Sequence, residues 1–271
     1  MQAATKTRVD FQPEVTTSDA VGTPLLQQLR VDHGPIGLLG RFFLKAEQAA
    51  RSRGVELAFA SLDELIEVNR QHIESWQPLL PMFEPQPGFG PVPTAFCILG
   101  RDRHGKVVAT QAARVYNLSK SSLYDEATSL RLFYPALEPE KTAGKTCTIS
   151  AQIAHSIHGR VTYSGGGWYH PEYRGRELSA ILPRISRAYA HTRWHSNTTV
   201  SFINTQLVEK GVARRYGYSN VDYEVRLTGM VTGDFRAGIA WMNTPEMLSD
   251  LEQFVLGTST QVDTRSQRRS G

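Results

Sequence analysis

The sequence predicts a mixed α/β (α+β) domain in which a central, mostly antiparallel sheet is flanked by helices. Helical and strand patterns follow one another along the chain instead of falling into separate blocks. Several strand patterns in the middle of the chain are joined by tight turns, which favours antiparallel pairing. Amphipathic helical patterns precede and follow these strands, and an extra helix closes the chain. Together these observations predict one sheet covered by helices.

Composition places the chain among ordinary globular proteins. It has 271 residues, of which 40% are hydrophobic and 21% charged. Residues 1–24 and 257–271 are polar and predict flexible tails, the second of them basic. Residues 25–256 then form one domain, with a helical extension at its start and an insertion at 117–145. The net charge of +4 does not indicate a nucleic-acid partner.

The same composition predicts a cytoplasmic protein. The N-terminus has no apolar run typical of a signal peptide, and no stretch approaches the ~20 apolar residues of a membrane span. Cys97 and Cys147 have no metal-like spacing, so we expect both to be reduced and buried in strands.

The first third of the chain predicts a helix, a strand and a second helix. Apolar residues after Pro35 recur at helical spacing, and Gly54 lies where that helix would stop. Residues 55–60 predict a short strand. Ser61 and Glu64 form a capping box that opens the second helix. The apolar face of this helix consists of Leu62, Leu65, Ile66, Ile73 and Trp76.

A proline-rich segment, residues 81–93, separates these elements from the strands and predicts an ordered surface loop. Two strands follow at 94–99 and 106–115. After the insertion, residues 147–157 and 161–168 predict another hairpin.

The last part of the chain alternates helices and strands. Apolar residues on one face predict a helix over 178–189, with Pro183 in its first turns. A strand at 198–203, a helix at 205–216 and a strand at 221–227 follow. Pro245 starts a terminal helix that Gly257 ends. We expect this helix either to cover a sheet edge or to pair with a second subunit in a homodimer.

The most informative motif is Tyr-His-Pro-Glu-Tyr-Arg-Gly-Arg-Glu-Leu-Ser at 169–179. Its proline closes an apolar strand, and Arg174-Gly175 leads into the helix that follows. The first backbone N–H groups of a helix have no partner within the helix, so they can bind a phosphate group. The motif therefore predicts an anion site at this helix N-terminus.

A second segment, Asn204 to Tyr218, ends in Arg-Arg-Tyr-Gly-Tyr. The two segments together resemble the acyl-CoA-binding core of the GNAT superfamily of N-acyltransferases. The first is similar to that family's Val-x-Pro-x-x-Arg-Gly-x-Gly-x-Gly/Ala, and the second to its Asn…Tyr…Gly-Phe region. The resemblance implies a GNAT-like fold over about 55–227 and a reaction that uses an acyl-CoA.

The resemblance also implies where the donor binds. The strand before the proline splays away from its neighbour, and its free backbone bonds the pantetheine arm. The pyrophosphate lies on the N–H groups at 174–179, where Glu177 departs from the family pattern and needs Arg174 or Arg176 to offset its charge. The implied donor-binding residues are Tyr169, His170, Arg174, Gly175, Arg176, Leu178 and Ser179.

Catalytic residues follow less directly, because the family's usual glutamate and tyrosine are absent from their positions. The position of the family's glutamate corresponds to about Tyr163 here, and the position of its tyrosine corresponds to Ala213. The candidates that remain are Tyr163, His158 and Tyr216, since a histidine titrates near neutral pH and a tyrosine can donate a proton.

Three glycines at 165–167 do not form a phosphate-binding loop, because no Gly-Lys-Ser/Thr ending and no helix follow them directly. They predict a bulge or a close backbone approach in the strand. His191 and His195 have a zinc-like spacing, but no third ligand is evident, so we predict no metal site.

The leading hypothesis is an N-acyltransferase that moves an acyl group from acyl-CoA, as co-substrate, to an amine of a small molecule or peptide. No permanently bound cofactor is expected. One alternative is a synthase of N-acyl amino acids or acyl-homoserine lactones that takes its acyl group from acyl carrier protein. The other is a GNAT-like binding domain without catalysis. Binding of CoA would distinguish the acyl-CoA enzyme from the carrier-protein enzyme, and acyl transfer would distinguish both enzymes from a binding domain.

Overall fold

The structure, a computed structural model, describes residues 23–84, 94–230 and 233–257. The predicted tails lie almost entirely outside these residues, as do residues 85–93 of the proline-rich segment. The strands are β1 (Glu56–Ala60), β2 (Ala95–Arg101), β3 (Val107–Leu118), β4 (Thr146–Ile149), β5 (Gly159–Tyr169), β6 (Thr198–Asn204), β7 (Asn220–Thr228) and β8 (Phe235–Asn243). The helices are α1 (Leu25–Gln28), α2 (Ile36–Arg51), α3 (Leu62–Gln71), α4 (Leu123–Thr128), α5 (Glu138–Thr142), α6 (Leu178–Trp194), α7 (Thr205–Glu209), α8 (Val212–Arg215) and α9 (Thr244–Leu256).

The described strands form one sheet in the order β1-β2-β3-β5-β6-β8-β7-β4. Every neighbouring pair is antiparallel except β5 and β6, which are parallel. The predicted mixed, mostly antiparallel sheet is therefore confirmed. Its two halves are joined only through β5 and β6.

Local sequence signals explain where several helices begin and end. The Ser61 side chain accepts a hydrogen bond from the Glu64 N–H, as the capping pattern predicts. Asn243 and Glu246 form a reciprocal capping box at the start of α9. Gly257 ends that helix with a φ of 77°, a conformation that glycine adopts without strain.

Each face of the sheet carries its own hydrophobic core. One face is covered by α3, the segment after it and the long connection between β3 and β5. The other face is covered by α1, α2, α6 and α9, so α9 packs against helices of its own chain. A partner subunit remains a prediction. Cys97 in β2 and Cys147 in β4 are buried free thiols.

The connection between β3 and β5 corrects one prediction. Residues 147–157 do not form a hairpin with β5, because β4 pairs with β7 at the far edge of the sheet. A 3-10 turn, Gln152–His155, then leads back to β5. The apolar pattern predicts a strand but cannot name its partner, and β7 offers an open edge next to buried Val225 and Leu227.

Strand β8 was missed by the sequence analysis, although it lies between β6 and β7. Its centre, Ala-Gly-Ile-Ala, contains residues that are depleted in strands, so its strand signal is weak. Gly238 is needed there, because a side-chain carbon at this position would lie 3.1 Å from Val221 and 3.2 Å from Tyr223. Helix α3 also ends at Gln71, before the predicted face reaches Ile73, which is exposed.

The predicted helix at 205–216 is two short helices, α7 and α8, because Gly211 between them takes a φ of 74°. Among the residues that the structure describes, no helix is long and apolar enough to cross a membrane.

Candidate functional site

Strands β5 and β6 part after three residue pairs, and this parting creates the candidate site. Val161, Thr162 and Tyr163 pair with Thr198–Val200. From Ser164 to Tyr169, the β6-facing edge of β5 has no strand partner in the described residues. The predicted splayed strand is therefore confirmed. Its free backbone groups can hydrogen-bond an extended ligand.

A bulge shapes β5 inside this gap. Gly166 and Gly167 together lie opposite the single residue Gln111 of β3, and Gly166 has a φ of +61°. The Thr110 hydroxyl donates a 2.7 Å hydrogen bond to the Gly166 carbonyl. A side-chain carbon on Gly167 would lie 3.1 Å from Gln111 Oε1. The prediction that the glycines form a bulge is confirmed.

The turn after β5 is held by Arg174. Its guanidinium donates to the carbonyls of Tyr169 and Ser75, each at 3.2 Å. Gly175 follows with a φ of +80°, and its missing side chain faces open space. These contacts fix the path of the backbone into α6, so Arg174 orients the turn through its side chain.

Helix α6 begins with free donors. The N–H groups of Gly175, Glu177, Leu178 and Ser179 donate no hydrogen bond within the part of the chain that the structure describes. The positive end of the helix dipole lies at the same point. A shallow, wide-open cleft of about 670 Å³ lies here, lined by residues 52–54 and 175–177. This end of the gap therefore has the features of an anion site.

Glu177 lies in this anion site, and its charge is offset by Arg53. Arg53 Nη2 lies 2.5 Å from Glu177 Oε2, and Arg53 Nε donates to the Arg176 carbonyl at 2.7 Å. Arg174 and Arg176, the residues predicted to offset this charge, make other contacts. Arg174 holds the turn, and the Arg176 guanidinium lies 4.0 Å from the centre of the Tyr173 ring. Arg53 belongs to the turn between α2 and β1, far from the motif in sequence.

Several buried polar atoms without a hydrogen-bond partner of good geometry belong to the elements that border the gap. Each belongs to β5, to its neighbour β3, to α6 or to a segment that follows β6. The atoms are Gln111 Oε1, Thr162 Oγ1, the Tyr169 hydroxyl, Arg187 Nε and Nη1, Thr205 Oγ1 and the Tyr218 hydroxyl. Leaving such groups unpaired costs about 1–3 kcal/mol each, so their concentration here indicates a place for a polar ligand.

We call the point where β5 and β6 part the apex of the gap. Tyr163, in the last pair before this point, lies on the α3 face of the sheet. Its hydroxyl accepts a 3.2 Å hydrogen bond from the Phe202 N–H of β6, at the point where pairing with β5 stops. Its ring packs against Phe83 and Phe202. Burial raises the pKa of Tyr163 well above its usual value.

The other two catalytic candidates are placed differently. The Tyr216 hydroxyl lies 3.8 Å from where a Gly167 side chain would begin, which puts it beside the bulge. Burial raises the pKa of Tyr216 to about 12. His158 is exposed and within 2.8 Å of the Ser121 carbonyl. It precedes β5, roughly 20 Å along the strand from Ser164, so the structure does not bring it to the gap.

The donor-binding candidates lie in one continuous stretch. Tyr169 ends β5 with its hydroxyl buried, and Leu178 and Ser179 open α6. His170 lies 2.9 Å from Lys106 Nζ through its Nε2 atom. Burial and then the Lys106 charge lower the pKa of His170. The imidazole is therefore neutral at neutral pH.

Sequence reasoning missed three residues of this site, Arg53, Gln111 and Arg187, and it named Tyr218 only as the end of the second segment, not as a catalytic candidate. A lone glutamine inside the apolar strand Val-Val-Ala-Thr-Gln-Ala-Ala is a signal that points to Gln111. Within the described ranges, no group of three or more His, Cys, Asp or Glu side chains could hold a metal ion. His191 is buried, which corrects its interpretation as part of a solvated helix end.

Comparison with known proteins finds similarity in structure only. No protein-family model matches the chain, and no curated protein matches it. An uncharacterised protein from Bacillus halodurans is 12% identical with a TM-score of 0.44, over 75% of this chain and 91% of that one. The polyamine N-acetyltransferase of Drosophila melanogaster is 12% identical with a TM-score of 0.43, over 70% and 99%. The aminoglycoside acetyltransferase AAC(6')-Ib, solved with acetyl-CoA, is 10% identical with a TM-score of 0.41, over 71% and 95%. These likenesses are too distant to indicate a reaction or a substrate.

Proposed function

We propose that this protein is an N-acyltransferase that moves an acyl group from an acyl-CoA to an amine. The observation that carries the proposal is the gap between β5 and β6, which has free helix N–H donors at one end and unpaired buried polar groups along it. An acyl-CoA has the matching chemistry, since it joins a pyrophosphate to an amide-containing arm and a thioester.

The donor lies along β5 in this proposal. Its pyrophosphate binds the free N–H groups of Gly175, Leu178 and Ser179, where backbone donors and the helix dipole both favour an anion. Its pantetheine arm follows the free edge of β5 from Tyr169 towards Ser164. The thioester then lies at the apex, about 16 Å along the strand from Tyr169.

The reaction proceeds by direct attack of the neutral amine on the thioester carbonyl. At the apex, the β6-facing N–H groups of β5 that lie beyond its last pair with β6 can polarise that carbonyl. Tyr163, His158 and Tyr216 stay the predicted proton carriers. The first and last of these lie at the gap, and His158 acts only if the acceptor reaches the start of β5.

The acceptor is a small-molecule or peptide amine. Phe83 and Phe202 pack against Tyr163 on the α3 face of the apex, and Phe133 packs against Phe202, which supports an apolar acceptor or a long acyl chain. A cytoplasmic location and a homodimer complete the proposal. Acyl carrier protein remains the alternative donor.

Calorimetric titration with CoA, acetyl-CoA and a long-chain acyl-CoA tests the proposal, together with a thermal-shift assay. At ~100 times the dissociation constant, the ligand stabilises the fold by about 2.7 kcal/mol. A Ser179→Asp variant, which adds a carboxylate among the free N–H groups, should lose at least about tenfold in affinity.

Ser119→Asp is the matched control. Ser119 is exposed and follows β3 at the far end of β5 from α6, so the added charge should leave binding unchanged. Absence of binding by all three ligands would reject acyl-CoA as the donor. Binding and transfer with an acylated carrier protein would then establish the alternative donor, and absence of both would leave a non-catalytic domain.

A further inference from the structure

Tyr218, the last residue of the second sequence segment, and Arg187 lie at the apex of the gap, on the α6 face. Tyr218 lies two residues before β7 and is 5% exposed, and Arg187 lies in the middle of α6 with no exposed surface. The Arg187 guanidinium carbon lies 4.6 Å from the centre of the Tyr218 ring. This distance allows a cation–π contact between the two side chains.

The Tyr218 hydroxyl lies where the two strands separate. Ser164 of β5 and Ser201 of β6 flank it, and each is the first residue beyond the last β5–β6 pair, Tyr163 with Val200. The hydroxyl makes no hydrogen bond of good geometry. The side chains of Ser164, Ser201 and Arg187 are within its reach but are poorly aligned with it, so the buried phenol can still donate to a ligand where the two strands part.

Arg187 is also incompletely paired. Its Nη2 reaches Asp250 at 3.3 Å, but Nε and Nη1 are buried without partners. Asp250 already accepts two 2.8 Å hydrogen bonds from Arg184, so its charge is shared between two guanidinium groups. Part of the Arg187 charge is thus left to act on Tyr218 and on whatever lies at the apex.

We propose that Tyr218 is the proton donor to the departing thiolate and that Arg187 is the positioning residue that holds and polarises it. The assignment rests on the proposed acyltransferase function. The other tyrosines at the gap are less suited. The Tyr163 oxygen already accepts the Phe202 N–H, and Tyr216 lies beside the bulge, further from the apex.

The proton balance of the step is simple. The amine nitrogen forms a bond to the acyl carbon as the carbon–sulfur bond breaks. The sulfur leaves with the bonding electron pair and takes the phenolic proton of Tyr218. The nitrogen loses one proton to solvent, and solvent returns one to the Tyr218 oxygen, so the net change is one proton moved from nitrogen to sulfur. Burial raises the pKa of Tyr218, which keeps the phenol protonated at neutral pH, while the Arg187 charge favours the phenolate that forms.

Tyr218→Phe is the variant that tests the assignment, with Tyr189→Phe as the matched control. Tyr189 is a buried tyrosine of α6 that contacts Phe59 and Phe96 outside the gap. CoA affinity by calorimetry should stay within about twofold in both variants. Thiol release from acetyl-CoA with hydroxylamine as acceptor should fall about 10²–10⁴-fold in kcat for Tyr218→Phe and stay unchanged for Tyr189→Phe.

The selenoester analogue of acetyl-CoA separates proton donation from a structural role. A selenolate is a good leaving group without protonation, so the loss caused by Tyr218→Phe should shrink by at least about tenfold with this donor. Arg187→Lys, which keeps the charge, should retain more kcat than Arg187→Met at similar KM. Equal losses with both donors would overturn the role of Tyr218. Absence of CoA binding or of turnover in the unchanged protein would reject the acyltransferase itself, and this assignment with it.

Discussion

Arg53 forms an ion pair with Glu177, 124 residues away in the chain, and so neutralises the one carboxylate at the start of α6. The Glu177 side chain is exposed, so the pair itself contributes only about 0–1 kcal/mol to stability. Its importance is electrostatic and local. A phosphate that binds the free N–H groups of α6 meets a compensated carboxylate instead of a bare one.

We therefore expect Arg53→Ala to weaken CoA binding by about threefold to tenfold, because Glu177 is then left to repel the pyrophosphate. Glu177→Gln should strengthen binding by a similar factor, and Arg53→Ala combined with Glu177→Gln should return near the original affinity. Calorimetry at low and moderate salt measures all three. Glu172→Gln, a nearby exposed carboxylate outside the cleft, is the control. Equal losses in the single Arg53 variant and in the double variant would show that Arg53 binds the ligand directly.

Gly165 is the glycine of β5 that packs against the apex. A side-chain carbon there would lie 2.8 Å from Tyr163 and 3.0 Å from Phe83. Tyr163 is held by the Phe202 N–H and cannot move aside without losing that bond. Gly165→Ala should therefore destabilise the fold by about 1–3 kcal/mol in urea unfolding.

Gly40→Ala provides the opposite case. Gly40 lies inside α2, and an added carbon would meet nothing within 4 Å. This substitution should stabilise the protein by about 0.5–1 kcal/mol, because alanine is the better helix former. A neutral or stabilising Gly165→Ala would show that the apex is less tightly packed than the distances indicate.

The parts of the site that sequence could predict are those whose cause is local. The bulge at 165–167 and the turn at Arg174-Gly175 follow from glycine, proline and the start of a helix. Arg53 could not be found this way, since nothing near it in sequence indicates Glu177. Arg187 was missed for another reason: an arginine in an amphipathic helix is expected at the surface, and its complete burial depends on Tyr218 and Asp250. Strand β8 was missed because alanine and glycine have low intrinsic strand preference. These small residues are present there because the neighbouring strand packs closely against them.

Asp250 joins α9 to α6 through Arg184, with which it forms two hydrogen bonds of 2.8 Å. The pair is almost fully buried, the two side chains being 7% and 17% exposed. Asp250→Ala should cost about 3–5 kcal/mol of unfolding free energy, because two buried guanidinium groups lose their shared partner. Chemical denaturation measures the loss.

Asp234→Ala is the matched control for Asp250. Asp234 pairs with Arg226, and both side chains are nearly half exposed. Removing such a solvent-screened pair should leave the free energy of unfolding almost unchanged. A similar effect for the two substitutions would mean that Asp250 makes no special contribution to the packing of α9.

His191 gives the fold a dependence on pH. It is buried in α6, within 3.2 Å of the Ser196 carbonyl, and its ring meets the His195 ring edge-on. Burial, and to a smaller extent the charges of His195 and His33, lower the pKa of His191 below its usual value of about 6.5. The unfolded chain therefore binds a proton at a higher pH than the folded protein does. The contribution of neutral His191 to the free energy of unfolding is therefore complete above pH ~6.5, and it is lost as the pH falls from there towards the lowered pKa.

Urea midpoints at pH 7.5 and pH 5.5 test this direction. The unchanged protein should be less stable at the lower pH, and His191→Gln should remove part of that difference while costing some stability at pH 7.5. His104→Gln, at an exposed turn, should keep the original dependence. If His191→Gln kept this pH dependence as well, the loss of stability in acid would have to come from the carboxylates.

The carboxylates Asp125 and Glu126 have lowered pKa values. Hydrogen bonds from Ser122 lower the pKa of Asp125. Burial raises the pKa of Glu126, but the hydrogen bonds and charge of Arg131 outweigh it and lower that pKa. Their contribution is lost only as the pH falls below about 4, because a lowered carboxylate pKa stabilises the fold above the unfolded value. The two causes therefore act in different pH windows, and a midpoint series between pH 7.5 and pH 3.5 resolves them.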